Sequence, residues 1–347
     1  MPENKTKNTV LKVCLALFIA VITVVLLNSS GLYDWANRME IGKTRTTFLE
    51  IIKPLHKISK KYGFDIPKEK TQEYFRDLAG INTKAGFNSG SQKFTTTNVD
   101  SVSPPQTDTL AVTKSSENLT SAEFDPFVKL KTRIYNKNHP LKLLLIGDSM
   151  MGGGLGTILS RTAKRDTLLD ARRVYELSSG LTRNDFFDWF IQADLLLNTN
   201  NYDVVIVVIG TNDAQASEIN GRKCPFGSEQ WLADYETKVR EFMNIINHNA
   251  EVVYWLGLPP MRDEGFDSRI KKLNSVYRDV TAESQNVLYF PLDTLIGDYA
   301  LKFTSFLNID DKLVKIRLDD GIHLTNEGGS VIAGKLLNQI KKDISLQ

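Results

Sequence analysis

Lys142-Leu143-Leu144-Leu145-Ile146-Gly147 runs directly into Asp148-Ser149-Met150-Met151-Gly152-Gly153-Gly154. A short apolar run without alternation reads as a strand buried on both faces, and its glycine-rich continuation as a strand-to-helix turn. The same grammar recurs downstream. Arg173–Leu177, Asp203–Gly210 (DVVIVVIG), Val252–Leu258 and Val287–Phe290 read as four further strands. Gly156–Lys164, Asn184–Leu197, Ser228–Asn247, Ser268–Ser284 and Asn326–Ile344 read as the helices that alternate with them. Apolar strands alternating with helices predict a mainly parallel five-stranded sheet covered on both faces, a three-layer α/β/α domain over residues 124–347. Ligands of such folds sit at the carboxyl ends of the strands, so the loops after each strand are where chemistry is to be sought.

Four loops carry reactive or polar residues. After the first strand, Ser149 sits in the Gly147-Asp148-Ser149 turn. A phosphate-binding P-loop needs a Gly-Lys-Ser/Thr ending, which is missing here. A dinucleotide fingerprint is met only loosely by Gly152, Gly154 and Gly156, with Glu176 as the acidic residue. A nucleophilic serine and a plain structural turn are the other readings. After the second strand comes Ser178-Ser179-Gly180-Leu181, where Gly180 is a turn glycine or lets backbone approach a ligand closely. After the third comes Gly210-Thr211-Asn212-Asp213, where Asn212 is an Asx turn or an amide donor to an oxyanion. Before the last helix, Asp319-Asp320-Gly321-Ile322-His323 puts a carboxylate three residues from a histidine, a spacing at which one can orient the other.

Taken together the four blocks resemble the SGNH subset of the GDSL-type hydrolases, over roughly Leu141 to Ile344. Ser149 stands in GDSM, Gly180 in its glycine block, Asn212 in GTND, and Asp320 with His323 in DGIH. Met150 replaces the leucine of the family name, a volume-conserving change. The resemblance implies a flavodoxin-like SGNH-hydrolase fold and acyl transfer, with Ser149 as nucleophile, His323 as base and Asp320 as its orienting carboxylate. Gly180 and Asn212 would hold the oxyanion, while Asp148 and Asp213 brace the loops. It implies no cofactor and no metal, and no H-E-x-x-H motif or cysteine cluster occurs in the chain. Trp189, Met261 and Arg262 are candidates for lining the pocket, against core packing for the first two and a surface ion pair for the third. An incoming acceptor would meet Pro259–Arg262 and Arg317–Asp320. Gly180-Leu181 leading to Asp185-Phe186-Phe187-Asp188-Trp189, the stretch Trp255–Arg262 and Tyr62-Gly63-Phe64-Asp65-Ile66-Pro67 are further similar to a bacterial subgroup of anchored envelope proteins.

The N-terminus fits that setting. Val13–Leu27 is apolar except for Thr23, and counting from Val10 to Leu32 gives 23 residues, long enough to cross a bilayer as one helix. Lys5, Lys7 and Lys12 precede the run and place the N-terminus inside, although Arg38, Lys43 and Arg45 weaken the contrast. The expectation is a single-pass anchor over residues 1–35 in the inner membrane, with the catalytic domain periplasmic or extracellular. A cleaved signal peptide is the rival reading, with Asn28-Ser29-Ser30-Gly31 as a poor cleavage site. Residues 36–81 read as a helical juxtamembrane stalk that Pro54 interrupts and Pro67 restarts. In Asn82–Ala122, 15 of 41 residues are Ser or Thr, so residues 82–123 read as a flexible linker.

Composition sets the outer limits. With 43 basic and 41 acidic residues in 347, nothing in the charge favours nucleic acid as a partner. Two cysteines, Cys14 and Cys224, exclude a disulfide framework, and His56, His139 and His248 read as solvated surface residues. The expected activity is an esterase on O-acyl groups, O-acetyl above all, of an envelope glycan. An O-acyltransferase fed by a separate donor protein and a non-catalytic envelope scaffold are the alternatives, with a lipid-active hydrolase behind them.

Overall fold

The computed structural model describes residues 3–39, 43–64, 125–184, 186–297 and 301–346. Five strands form the central sheet: β1 (Leu141–Gly147), β2 (Leu169–Tyr175), β3 (Tyr202–Val208), β6 (Ala250–Leu256) and β7 (Val287–Phe290). Every neighbouring pair is parallel and the order is β2-β1-β3-β6-β7. This is the flavodoxin-like order, in which the chain goes from β1 to one side and then reverses across it. The reversal lies between β1 and β3, where Gly147 is in register with Val208.

Helices close both faces. α5 (Ser149–Gly152), α6 (Gly154–Arg165) and α11 (Asn326–Asp343) lie together on one side, with α6 packed on α11. α7 (Trp189–Thr199), α8 (Glu229–His248) and α9 (Glu264–Thr281) pack in succession on the other. Val204 to Val208 of β3 and Leu144 to Ile146 of β1 are wholly buried, as sandwiching between two helical layers requires. Side-chain caps set several helix starts. Asp188 accepts from Phe190 and Ile191, Ser228 from Trp231, Asp263 from Phe266 and Thr325 from Gly328. The Asp188 cap is why α7 begins at Trp189 and not at Asn184. The second strand likewise runs earlier than its sequence reading, over Leu169–Tyr175, because its polar residues lie on an edge strand where alternation is weak.

Two antiparallel hairpins were not anticipated: β4 (Ser217–Ile219) with β5 (Arg222–Cys224), and β8 (Phe306–Ile309) with β9 (Lys312–Lys315). Both turn on two residues with positive φ, Asn220-Gly221 and Asp310-Asp311. The Asn-Gly pair is a strong hairpin signal. α4 (Val128–Lys131) and α10 (Asp293–Ile296) are single turns. At the far, amino end of the sheet, Arg133 pairs with Asp203 and Glu251 and so ties the entry segment to β3 and β6.

The N-terminal helices differ from expectation. α1 (Glu3–Leu27) and α2 (Ser29–Arg38) meet at a 75° bend at Asn28, and no single helix among the described residues is long and apolar enough to cross a membrane. The straight span Val10–Leu32 is therefore replaced by a bent pair. The polar and small residues Asn28-Ser29-Ser30-Gly31 end the apolar run there. α2 also crosses the expected boundary at residue 35. α3 (Lys43–Tyr62) runs through Pro54 without ending. Proline costs an interior helix one hydrogen bond, but contacts on either side of it are kept. Leu49 and Ile52 are buried with Ala36, and the Ser59 hydroxyl donates to Leu26 O at 2.8 Å. His56, expected on a solvated surface, is half-buried and stacks on Tyr33 at 4.7 Å. The linker 82–123 and the helix expected from Pro67 lie outside the described residues.

Candidate active site

The reversal point of the sheet collects all four loops. β1 ends at Gly147, Asp148 caps the next turn and Ser149 opens α5. Asp148 is fully buried and holds two strands' loops together. Its Oδ1 accepts from Met150 N at 2.8 Å; its Oδ2 accepts from Gly210 N and Thr211 N, both at 3.1 Å, and from the Thr211 hydroxyl at 2.7 Å. Burial raises its carboxyl above the usual carboxylate range, and these donors act against that rise.

Across the cleft, β9 leads through Arg317 into a tight loop before α11. Leu318 N donates to His323 O at 2.8 Å, Gly321 N donates to Leu318 O at 3.1 Å, and Gly321 takes a positive φ of 74°. A side chain at 321 would also meet Arg262 Cβ at 2.5 Å, so glycine is required twice over. Asp320 Oδ1 accepts from the amides of Ile322 (2.8 Å) and His323 (2.9 Å), and Oδ2 faces His323 Nδ1 at 2.7 Å. Nε2 of the same ring lies 2.8 Å from Ser149 Oγ. Partial burial pushes the Asp320 carboxyl up, but the imidazole bond and the two amides outweigh it and hold its pKa below the ordinary value. An ionised carboxylate on Nδ1 fixes the proton there and leaves Nε2 free to accept from the serine.

The Gly180 and Asn212 blocks are tied to each other. Asn212 Nδ2 donates to Ser179 O at 2.8 Å. Asp213, wholly buried, accepts from Leu181 N and Thr182 N at 2.9 Å, from the Thr182 hydroxyl at 2.7 Å and from Tyr235 OH at 3.1 Å. Tyr235 meets Tyr277 OH at 2.7 Å, and Tyr277 donates to Ile209 O at 3.1 Å. Burial raises the Asp213 carboxyl and both phenols. The close approach expected at Gly180 is to protein: a Cβ there would lie 2.1 Å from Asp213 Oδ1. Among the described residues the backbone N–H groups of Ser149 and Gly180 have no protein acceptor. An unpaired amide at the buried Gly180 is unusual and suits an anion that forms during reaction.

The three pocket candidates separate. Trp189 is wholly buried; its indole N–H donates to the Ser179 hydroxyl at 2.8 Å and its ring meets Phe187. It belongs to the core, beneath the Gly180 block. Met261 is buried too, its amide on Asp267 Oδ1 at 2.8 Å and its sulfur 3.6 Å from Arg317. Neither lines an open surface, because the apolar side chains were drawn into the packed interior beside the loops. Arg262 is exposed but makes no ion pair among the described residues; Nη1 donates to Asp319 O at 2.6 Å. Sequence reasoning passed over Ser179, Thr182, Thr211, Tyr235 and Tyr277, and it set Arg317 beside an incoming acceptor, whereas that side chain is wholly buried. Ser179, Thr182 and Thr211 adjoin motif residues, whereas Tyr235 and Tyr277 come from α8 and α9 and had no local signal.

A family model described as "Protein of unknown function (DUF459)" matches residues 142–339, more than half of the chain and every block of the site. The chain belongs to the DUF459 family. No curated protein matches it. Among solved structures, this DUF459 chain is similar to a lipolytic protein of the G-D-S-L family from Veillonella parvula (13% identity, 57% of this chain and 96% of that one, TM-score 0.40). It is also similar to a GDSL-like lipase from Bacteroides thetaiotaomicron (11%, 62% and 94%, TM-score 0.41). A third is a catalytic mutant of an acetylxylan esterase from Geobacillus stearothermophilus (14%, 59% and 94%, TM-score 0.39). In its own geometry the DUF459 site has the SGNH arrangement: serine, histidine and aspartate in hydrogen-bonded sequence, faced by the glycine and asparagine blocks. That is the equipment of a serine esterase or acyltransferase.

Proposed function

We propose that this protein is a serine-dependent esterase that removes O-acyl groups, O-acetyl foremost, from a glycan of the cell envelope. The observation that carries the hydrolytic part is the continuous Asp320–His323–Ser149 relay beside unpaired amides at Ser149 and Gly180. In the first half-reaction Ser149 Oγ attacks the ester carbonyl while His323 Nε2 takes its proton. The carbonyl oxygen becomes an anion, held by the Ser149 and Gly180 amides and the second N–H of the Asn212 amide. His323 then protonates the departing alcohol, leaving acyl-Ser149. In the second half-reaction His323 takes a proton from the water that attacks the acyl group, then returns it to Ser149 Oγ as the acid leaves. Asp320 stays ionised throughout and stabilises the imidazolium.

The envelope setting is supported by α1. Val13, Leu17, Phe18 and Val24 each expose more than half of their surface, an apolar sheath that a bilayer would cover. Lys5, Lys7 and Lys12 favour the cytoplasmic side for the N-terminus, which supports a site outside the cytoplasm. Transfer to a sugar hydroxyl shares the same acyl-Ser149 intermediate and would call for a separate acyl-donor protein.

The test is a series of p-nitrophenyl esters of increasing acyl length, followed by a chase of acetyl-Ser149 with water or with glycan oligosaccharide. Turnover best on acetate, with acetate released at one rate in both chases, is the expected result. Acetylated glycan formed at the expense of free acetate would overturn the esterase reading in favour of transfer. No turnover on any ester would leave the scaffold.

A further inference from the structure

Arg317 packs under the catalytic loop and is wholly buried. Its Nη1 donates to Pro260 O at 2.7 Å; its Nη2 donates to Ile322 O at 2.8 Å and reaches Gly321 O at 3.4 Å. The Phe303 ring lies 4.9 Å from the guanidinium carbon, and Arg317 forms a bridge pair with Leu324 at the base of the loop. No carboxylate lies within ion-pair distance among the described residues, and the buried Nε has no acceptor. Burial pushes its pKa down to about 10. For stability alone this is a poor choice, since a buried charge without a counter-ion is costly and an apolar side chain of similar size is often as good. What it holds explains its presence. Two of the three carbonyls belong to Gly321 and Ile322, the residues between Asp320 and His323. The third belongs to the opposite loop, after β6.

We propose that Arg317 is a positioning residue of the triad: its planar fork draws the carbonyls of Pro260, Gly321 and Ile322 together and so sets His323 at hydrogen-bond distance from Ser149. This deepens the esterase reading and rests on it. The fork matters as well as the charge. A lysine ammonium is a point donor and cannot span carbonyls on two loops in one plane. Small displacements of a base from its nucleophile cost about 10²-fold in rate.

The experiment uses the full chain in detergent, as wild type, Arg317→Lys and Arg317→Met. Each is followed by its melting transition, by kcat and KM on p-nitrophenyl acetate, and by the rate at which a fluorophosphonate labels Ser149. The expected result is loss of about 10²-fold in kcat and in labelling for both variants, with KM little changed, the melting transition retained and no rescue by lysine. Folded variants that label at the wild-type rate overturn the proposal, as does full rescue by Arg317→Lys, which would make charge alone sufficient. If neither variant folds, Arg317→Gln, neutral and too short to span both loops, takes their place. Slower labelling in that variant supports the proposal and an unchanged rate overturns it. A wild-type chain that neither labels nor turns over ester would instead remove the esterase reading itself.

Discussion

Asp320 links a turn to a reaction. One carboxylate oxygen closes the loop on two backbone amides and the other orients the imidazole. Replacing it with asparagine keeps the shape but no longer fixes the His323 proton on Nδ1, and kcat should fall about 10⁴-fold. The same substitution has a pH signature. Because the folded pKa of Asp320 is lowered, its ionised form contributes stability that is fully present above the ordinary carboxylate value of about 3.9 and is lost as the pH falls through the folded value. The stability difference between wild type and Asp320→Asn, measured by urea unfolding, should be complete at neutral pH and close in acid. A gap that stays constant into strong acid would show that Asp320 contributes nothing as an anion. For the serine and its base, Ser149→Ala and His323→Ala should each cost at least about 10³-fold in kcat, and the double variant little more, because the members of one catalytic unit are strongly non-additive. Additive losses in that cycle would argue that the two act in separate steps.

At the scale of loops and elements, the oxyanion side is built by one buried carboxylate gathering its neighbours. Asp213 accepts from the residues that follow Gly180 and fills the space where a Cβ at 180 would stand. Gly180→Ala should therefore destabilise the fold by about 1–3 kcal/mol through overpacking. By shifting the Gly180 amide it should also lower kcat by about 10²-fold. A melting curve and steady-state kinetics on one ester read both, and an alanine variant with wild-type kinetics would remove this amide from the reaction. The four site loops were legible in the sequence because each follows or precedes a strongly patterned strand or helix. The hairpins flanking them were less so. Asn220-Gly221 is a readable turn, but β4, β5, β8 and β9 are three or four residues each, too short for alternation to stand out.

On the scale of the whole chain, the N-terminal helices touch the catalytic domain. Arg183, three residues beyond Gly180 and almost wholly buried, donates from Nη2 to Asn37 O at 2.5 Å, near the end of α2. Residues 124–347 carry their own core, so this fragment should fold and stay soluble. A charged hydrogen bond of about 1.5 kcal/mol, at roughly 2–4 °C per kcal/mol for a domain of this size, places its melting point about 3–6 °C below that of the full chain. Equal melting points would make the contact energetically idle. The full chain should remain in the pellet after alkaline carbonate extraction, held by the exposed apolar surface of α1. A soluble mature form beginning near Gly31 would show instead that this segment is removed.

Pattern and local chemistry were enough for the α/β alternation, the parallel sheet, the loops that matter and the order Ser149, Gly180, Asn212, Asp320, His323. These depend on residues near one another in the chain: apolar runs, turn glycines, and a carboxylate three positions from a histidine. Tertiary structure decided what depends on residues far apart. It brought His323 to Ser149 across 174 positions and placed Arg317 against Pro260. It buried Trp189 and Met261, which pattern alone left between pocket and core, and bent the N-terminal apolar stretch at Asn28. The physical reason is the same in each case. Hydrophobic periodicity states that a side chain is to be buried, but its partner is chosen by the packing of whole elements, and that choice is written in no single segment.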